Sequence, residues 1–162
     1  MLPYRTPGND IEFVLYDLFD AETEWAQIPA FDSFDRETVR AVVTECGKLA
    51  RDVMAPLSQS SDEEGAHWND GVVTAPKGFK DAYAALAAGG WLGVSGNPEF
   101  GGQGLPKILT ASFEEMFWGA NTHSWLYATS TVGAAICVDA HADEDPPRLY
   151  LPTFYSGQWT GA

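Results

Sequence analysis

The stretch Asp35-Arg36-Glu37-Thr38-Val39-Arg40-Ala41-Val42-Val43-Thr44-Glu45-Cys46-Gly47-Lys48-Leu49-Ala50-Arg51-Asp52-Val53 carries an unbroken apolar stripe. Val39, Val42, Val43, Cys46, Leu49, Ala50 and Val53 recur at helical spacing, which gathers them on one side of an α-helix. Arg36, Arg40, Lys48 and Arg51 fall off the stripe, with Glu37, Glu45 and Asp52 among them. Asp35 is a natural N-cap and Pro56 lies just past the expected end. The pattern predicts a core-facing helix over 35–55.

Upstream, residues 1–32 read as an arm laid on a larger body: a loop, a short helix and a second loop. Asn9 or Asp10 suits the cap of a helix burying Ile11, Val14, Leu15 and Leu18, too short to stand alone. Downstream, residues 57–75 are a polar excursion. The run Ser58 to Gly65 is expected to be a solvated loop, because consecutive carboxylates lack the alternating spacing of metal ligands. Asn69-Asp70-Gly71 before Val72-Val73-Thr74 predicts a tight turn into a short extended piece. Thr74 is expected to cap the next helix, with Pro76 in its first turn, Phe79, Ala82, Tyr83, Leu86 and Ala87 inside, and Gly89-Gly90 as the stop. Pro106 restarts a helix to about Trp118 that buries Leu109, Phe113, Met116 and Phe117. A further helix runs from Thr122 to Ala140 and ends at Asp143-Glu144-Asp145-Pro146-Pro147. Leu149-Tyr150-Leu151-Pro152 leads to a last turn, and Phe154 to Ala162 read as a chain entering a β-strand. The expected fold class is all-α, an orthogonal bundle of about five to six helices over 33–152, with an arm at 1–32. Residues 153–162 are expected to open a truncated β domain.

With 162 residues the chain makes one ordinary domain, and 45% hydrophobic content excludes a disordered one. Nine basic against 23 acidic residues give a net charge of −14, which argues against nucleic acid and anionic membranes as partners. Cys46 and Cys137 lie in helical apolar patterns and are expected to be buried lone thiols. No run approaches the roughly 20 apolar residues of a membrane span, and the N-terminus lacks signal-peptide character, so a cytoplasmic protein is expected.

The chemistry-bearing residues are sparse. His67, His123 and His141 lack partners at metal-motif spacing, so no metal is expected. Gly101-Gly102-Gln103-Gly104 does not fit the dinucleotide fingerprint, and a loop needing positive φ is preferred to a phosphate cradle. Trp125, Tyr127, Ala128 and Thr131, among small residues, read either as core packing or as the lining of an apolar ligand slot. No nucleophile or partnered general base is visible, so no catalytic residue is assigned.

Several ordered segments resemble the N-terminal domain of acyl-CoA dehydrogenases. Gly89-Gly90-Trp91-Leu92-Gly93-Val94 is similar to that family's "GGW/LLG" helix end, and Pro98-Glu99-Phe100-Gly101-Gly102-Gln103-Gly104-Leu105 to its "PEEYGGQGL" loop. Glu114-Glu115-Met116 resembles its "EE(L/M)" helix, and Tyr150-Leu151-Pro152 with Ser156-Gly157-Gln158-Trp159-Thr160-Gly161 its "YLPKLxSGEWxG". Tyr4-Arg5-Thr6-Pro7, Asp62-Glu63-Glu64-Gly65 and Pro76-Lys77-Gly78-Phe79-Lys80 look like a longer bacterial branch of the family.

The resemblance implies an all-α N-terminal domain followed by a β-barrel-like domain and a C-terminal helical domain. It also implies FAD in the parent protein but none bound to this chain, and an acyl-CoA substrate, an electron acceptor and the remaining domains as partners. A homo-oligomeric parent is left open. Trp125, Tyr127, Ala128 and Thr131 would then wall part of the acyl pocket, their bulk pointing to a short acyl group. The family's catalytic Glu and its "TEPxxGSD" segment have no counterpart in 1–162, so the chain is expected to be inactive alone. The alternative is a free-standing acidic helical interaction module. Pro146-Pro147 depart from the family's pattern and are expected to shorten or break the helix there.

Overall fold

The computed structural model describes residues 3–143 and 145–161; readings that touch Met1, Leu2, Glu144 and Ala162 lie outside them. The predicted helix forms as α1 to α3 come together: α1 (Gly8–Glu12), α2 (Ala21–Ala26) and α3 (Arg36–Leu49). Asp35 caps α3 as expected, its Oδ1 accepting from the Thr38 amide at 2.8 Å. Val39, Val43 and Cys46 are buried along it. The helix does not stop before Pro56 but widens into a π-helical turn over Ala50–Met54 and tightens into a 3-10 turn over Ala55–Leu57. Proline has no amide to donate and its ring crowds the carbonyl four residues back, so a change of winding here relieves an α-helical conflict.

The arm lies against α3 and α6 (Lys107–Ala120). The Tyr4 hydroxyl donates to the Met116 carbonyl at 2.9 Å, and Arg40 holds both Glu12 oxygens at 2.8 and 2.7 Å. Neither Asn9 nor Asp10 caps α1, which begins after Pro7 without a side-chain cap. Phe13–Leu18 continue it as a π-helix, so Ile11 and Leu15 are buried while Val14 and Leu18 stay exposed. Wider winding rotates the apolar positions off the single face that α-spacing predicts.

The acidic stretch is helical rather than a loop, as α4 (Ser58–Glu64), with Ser61 buried. The predicted turn is present: β1 (His67–Asn69) pairs antiparallel with β2 (Val72–Thr74), Asn69 opposite Val72. Asp70 (φ 47°) and Gly71 (φ 83°) fill the two-residue loop in left-handed conformation, the type I′ requirement. Thr74 therefore ends a strand instead of capping a helix. Pro76 disfavours helix in the residue before it, and α5 (Phe79–Ala88) starts only after Gly78.

The segment between α5 and α6 is laced to itself. The amides of Gln103, Gly104 and Leu105 donate to the carbonyls of Gly93, Gly96 and Val94 at 2.8, 3.0 and 2.9 Å. Gly101 (φ 89°) and Gly104 (φ 65°) take the positive angles anticipated. Gly102 lies so close to the Gly96 backbone that no side chain fits between them.

α7 (Thr122–His141) packs on α4, α5 and α6, and α8 (Asp145–Tyr155) lies along it. The chain therefore has more helices than the five to six expected, but the all-α class stands, with one small hairpin. Helix α8 was unforeseen. Pro146 and Pro147 sit in its first turn, where no amide partner is required, so they open a helix rather than break one. Phe154 and Tyr155 belong to its last turn, and Ser156–Gly161 turn back instead of forming a strand. Ala135, Leu151, Phe154 and Tyr155 make a second small core beside the main one.

Asn121 joins the pieces. It is fully buried; its Oδ1 accepts from the Ser124 amide at 3.0 Å, capping α7, and its Nδ2 donates to the Met54 carbonyl at 3.2 Å. Of the two cysteines, Cys46 is buried as expected, and burial pushes its thiol pKa far up. Cys137 is exposed instead, on the outer side of α7.

Three measurements check this architecture. Asn121→Ala removes a cap and the buried hydrogen bond to Met54, so chemical denaturation should show a loss of about 1–3 kcal/mol. Gly102→Ala should cost about 1–3 kcal/mol by overpacking, whereas Gly133→Ala, in open space on α7, should gain up to about 1 kcal/mol. A thiol reagent should label one cysteine per native chain, Cys137, and two after unfolding.

Candidate functional site

Trp91, in the 3-10 turn after α5, meets α6 and α7 through a column of aromatic rings. Its ring stands edge-on to Phe113 at 5.3 Å and Phe117 at 5.8 Å, and Phe117 lies 4.8 Å from Trp125. Such edge contacts add to simple burial because ring edges and faces carry opposite partial charge. Leu92, Val94 and Val132 complete the apolar wall of a narrow slot of about 10 Å³, room for no more than a water molecule. Polar groups also line it: Ser95, Thr110 and Glu114, the last two one turn apart on α6, and the indole of Trp125 on α7.

Of the four residues singled out from sequence, the structure brings three to the inner face of α7. Trp125, Ala128 and Thr131 are buried, as spacings of three residues along a helix require. Only Trp125 of these lines the slot. The Thr131 hydroxyl instead accepts from the Gly161 amide at 3.2 Å, pinning the turn after α8. Tyr127 points elsewhere: it is 47% exposed and stands edge-on to Phe79 at 5.5 Å. Two residues from Trp125 is about 200° around a helix, so the four cannot share one face.

Thr110 and Glu114 were missed from sequence. The signal available was their i, i+4 spacing beside the buried Leu109, Phe113 and Phe117, which puts a polar pair at the edge of an apolar stripe. Burial pushes the Glu114 carboxyl pKa up, with the Lys107 charge pulling it the other way. A neighbouring polar clasp orders the same region: Asn97 Nδ2 donates to Asp139 Oδ1 at 3.0 Å, and the Asn97 amide donates to the Tyr155 hydroxyl at 3.3 Å. Burial raises the Tyr155 pKa, against the Asn97 hydrogen bond that lowers it.

Among the described residues no group of three or more His, Cys, Asp or Glu gathers to hold a metal. His123 Nε2 lies 3.4 Å from Asp62 Oδ1 at the surface. A flavin dinucleotide needs several donors for its pyrophosphate, and five cavities lined by described residues gather no cluster of free basic side chains. The aromatic slot has no basic lining residue, Lys48 and Arg51 in two others are paired with Glu45 and Asp52, and Lys107 shares its cavities with Asp139. These residues do not by themselves fit such a cofactor. No helix among the described residues is long and apolar enough to cross a membrane.

No family model matches the chain. It is 31% identical over 163 aligned positions to a 3-methylmercaptopropionyl-CoA dehydrogenase of Ruegeria pomeroyi, covering 99% of this chain and 27% of that protein. It is 26% identical to a butyryl-CoA dehydrogenase of Syntrophomonas wolfei, over 98% of this chain and 26% of the relative. A broad-specificity linear acyl-CoA dehydrogenase of Mycobacterium tuberculosis is also 26% identical, over 79% of this chain and 21% of its own length. The chain thus spans about a quarter of the curated relatives it matches. These relatives are all acyl-CoA dehydrogenases, in agreement with the resemblance carried by the glycine loop, the paired glutamates and the Ser-Gly turn.

Proposed function

We propose that residues 1–162 act as the N-terminal helical domain of an FAD-dependent acyl-CoA dehydrogenase, an oxidoreductase that introduces an α,β double bond into an acyl-CoA thioester. In this reading the α6–α7 wall, with Trp125, Ala128 and Thr131, covers part of the acyl pocket. The base, the flavin site and the electron-acceptor surface belong to polypeptide outside these residues, so the chain alone is inactive and carries no flavin. Cytoplasmic residence is part of the same proposal. The carrying observation is similarity that spans nearly the whole chain yet about a quarter of each relative.

A bare apolar flank supports it. Leu149, Tyr150 and Trp159 are exposed around the end of α8, Tyr150 lying 6.1 Å from Trp159, the kind of patch another domain covers. The proposed substrate is a short acyl thioester: Trp125 occupies volume that a long chain would need, and two of the relatives are named for short acyl groups. A second reading, an acidic helical interaction module, draws on the exposed Phe13, Leu18 and Phe19 of the arm.

A chimera tests both. Residues 1–162 replace the aligned quarter of the Ruegeria relative. The expected product binds flavin stoichiometrically, shown by its yellow absorbance, and oxidises a short acyl-CoA with an artificial electron acceptor. A folded chimera lacking both properties overturns the dehydrogenase reading in favour of the module.

A further inference from the structure

Buried polar atoms are almost always hydrogen-bonded, so exceptions ask for an explanation. The Trp125 nitrogen and the Thr110 hydroxyl lack partners among the described residues, but the slot they line holds no more than a water. A half-satisfied hydroxyl elsewhere borders real room. Tyr155, only 7% exposed at the end of α8, accepts from the Asn97 amide at 3.3 Å, and its own proton meets no acceptor among the described residues. Burial first, and the Asp139 charge with it, raise its pKa, so the proton stays on at neutral pH. Its ring lies against the Gly96 backbone, so close that a side chain there would meet it at 2.6 Å. Tyr155 borders a chamber of about 210 Å³, room for about seven waters at about 30 Å³ each. Positions 132, 135, 136 and 139 share one face of α7. Val132, Ala135 and Ile136 therefore give the chamber an apolar wall, and Asp139 sets a carboxylate beside it. Lys107, the first residue of α6, brings the opposite charge to the same chamber. Neither Lys107 nor Asp139 forms an ion pair among the described residues. Asn97 ties the polar side together: its Nδ2 donates to Asp139 Oδ1 at 3.0 Å while its amide holds the Tyr155 hydroxyl, which leaves Asp139 Oδ2 open. A wider groove of about 540 Å³ shares Ser95, Gly96, Lys107 and Asp139 with the chamber and gives a way in.

We propose that this chamber binds a small zwitterion, a free α-amino acid with a short apolar side chain. The ligand carboxylate accepts from Lys107 Nζ and from the Tyr155 hydroxyl. Its ammonium donates to Asp139 Oδ2, and its side chain lies against Val132, Ala135 and Ile136. One charge of each sign beside a single apolar wall is satisfied by such a molecule and by no singly charged one. A carboxylic acid lacking the ammonium brings its charge up to Asp139 uncompensated, and an amine lacking the carboxylate does the same at Lys107. Charge-assisted bonds are the strong ones, so loss of either group should weaken binding on the order of tenfold to a hundredfold. The site is built wholly from this chain and stands apart from the dehydrogenase reading.

The test titrates the intact chain with L-valine and follows the amide resonances of Gly96 and Asn97 in a nitrogen–proton spectrum. Two comparators dissect the ligand: 3-methylbutanoate is valine without its ammonium, and 2-methylpropylamine is valine without its carboxylate. The expected result is a saturable shift with valine at a Kd of about 1 mM or below, each comparator binding at least about tenfold more weakly. Tyr155→Phe keeps the ring on Gly96 and loses only the hydroxyl, so valine should bind about tenfold more weakly. Asp139→Asn keeps an acceptor for Asn97 but not the charge, and should erase the preference for valine over 3-methylbutanoate. Lys107→Gln should likewise erase the preference over the amine. Circular dichroism and melting temperature check each fold; should Tyr155→Phe fail to fold, the variants at the exposed Lys107 and Asp139 carry the test. The absence of any saturable shift with valine, at tenfold the expected Kd, would overturn the proposal. A Lys107–Asp139 ion pair closing the chamber in solution would give that result. Equal responses to all three molecules would overturn it too, as would valine affinity unchanged in both charge variants. Valine binding by a chain whose chimera is inactive leaves this site standing and removes the dehydrogenase reading alone.

Discussion

One buried side chain governs how the helices meet. Asn121 sits where α6 stops and α7 starts, its own amide donating to the Phe117 carbonyl at 3.0 Å. Its Oδ1 supplies the cap for α7, and its Nδ2 reaches the Met54 carbonyl at the end of the π-helical turn. That carbonyl closes the 3-10 turn over Ala55–Leu57, and its second lone pair takes the Asn121 amide. Between its backbone and its side chain this one residue bonds to three segments, and the two side-chain bonds are each worth about 0.5–1.5 kcal/mol.

This constraint positions the slot. Fixing the α6–α7 junction fixes the phase of both helices, so Thr110 and Glu114 from one and Trp125 from the other arrive at the same apolar space. Trp91 closes it through contacts with Phe113 and Phe117. The floor beneath is the tightly laced 91–105 segment, where Gly102 and Gly96 touch backbone to backbone. The slot is shaped by helix phase and aromatic packing, with polar groups placed sparingly.

Sequence patterning foretold the elements with a strong period. Val39, Val43 and Cys46, or Leu109, Phe113 and Phe117, announce a buried helical face because only a regular helix aligns them. The Asp35 cap and the Asp70-Gly71 turn were readable because each backbone shape favours few residue types. Failures have physical causes. Prolines 146 and 147 look like breakers, yet at a helix start the missing amide is harmless. Val14 and Leu18 fit an α-helical stripe but lie on a π-helix, whose wider winding turns them outward. Ser58–Glu64 has no apolar period at all, and its helix is sustained by continuity with the 3-10 turn before it. In the slot, Trp125 was readable as an inward residue; the partnerless state of its nitrogen is a property of the packed neighbours and has no trace in the local pattern.

Helix α7 carries bulky apolar groups on its outer side as well as its inner one: Leu126, Tyr127 and Ile136 are all substantially exposed. A helix that is greasy around its whole girth belongs in an interior. Opposing adhesion between copies is the excess of carboxylates, 23 against nine basic groups. Mutual repulsion of this kind reaches only about 10 Å at 0.1 M ionic strength. Colloidal behaviour becomes a contest between long-range charge and short-range adhesion, tilting toward clustering as salt rises or as pH approaches the isoelectric region near 4.3.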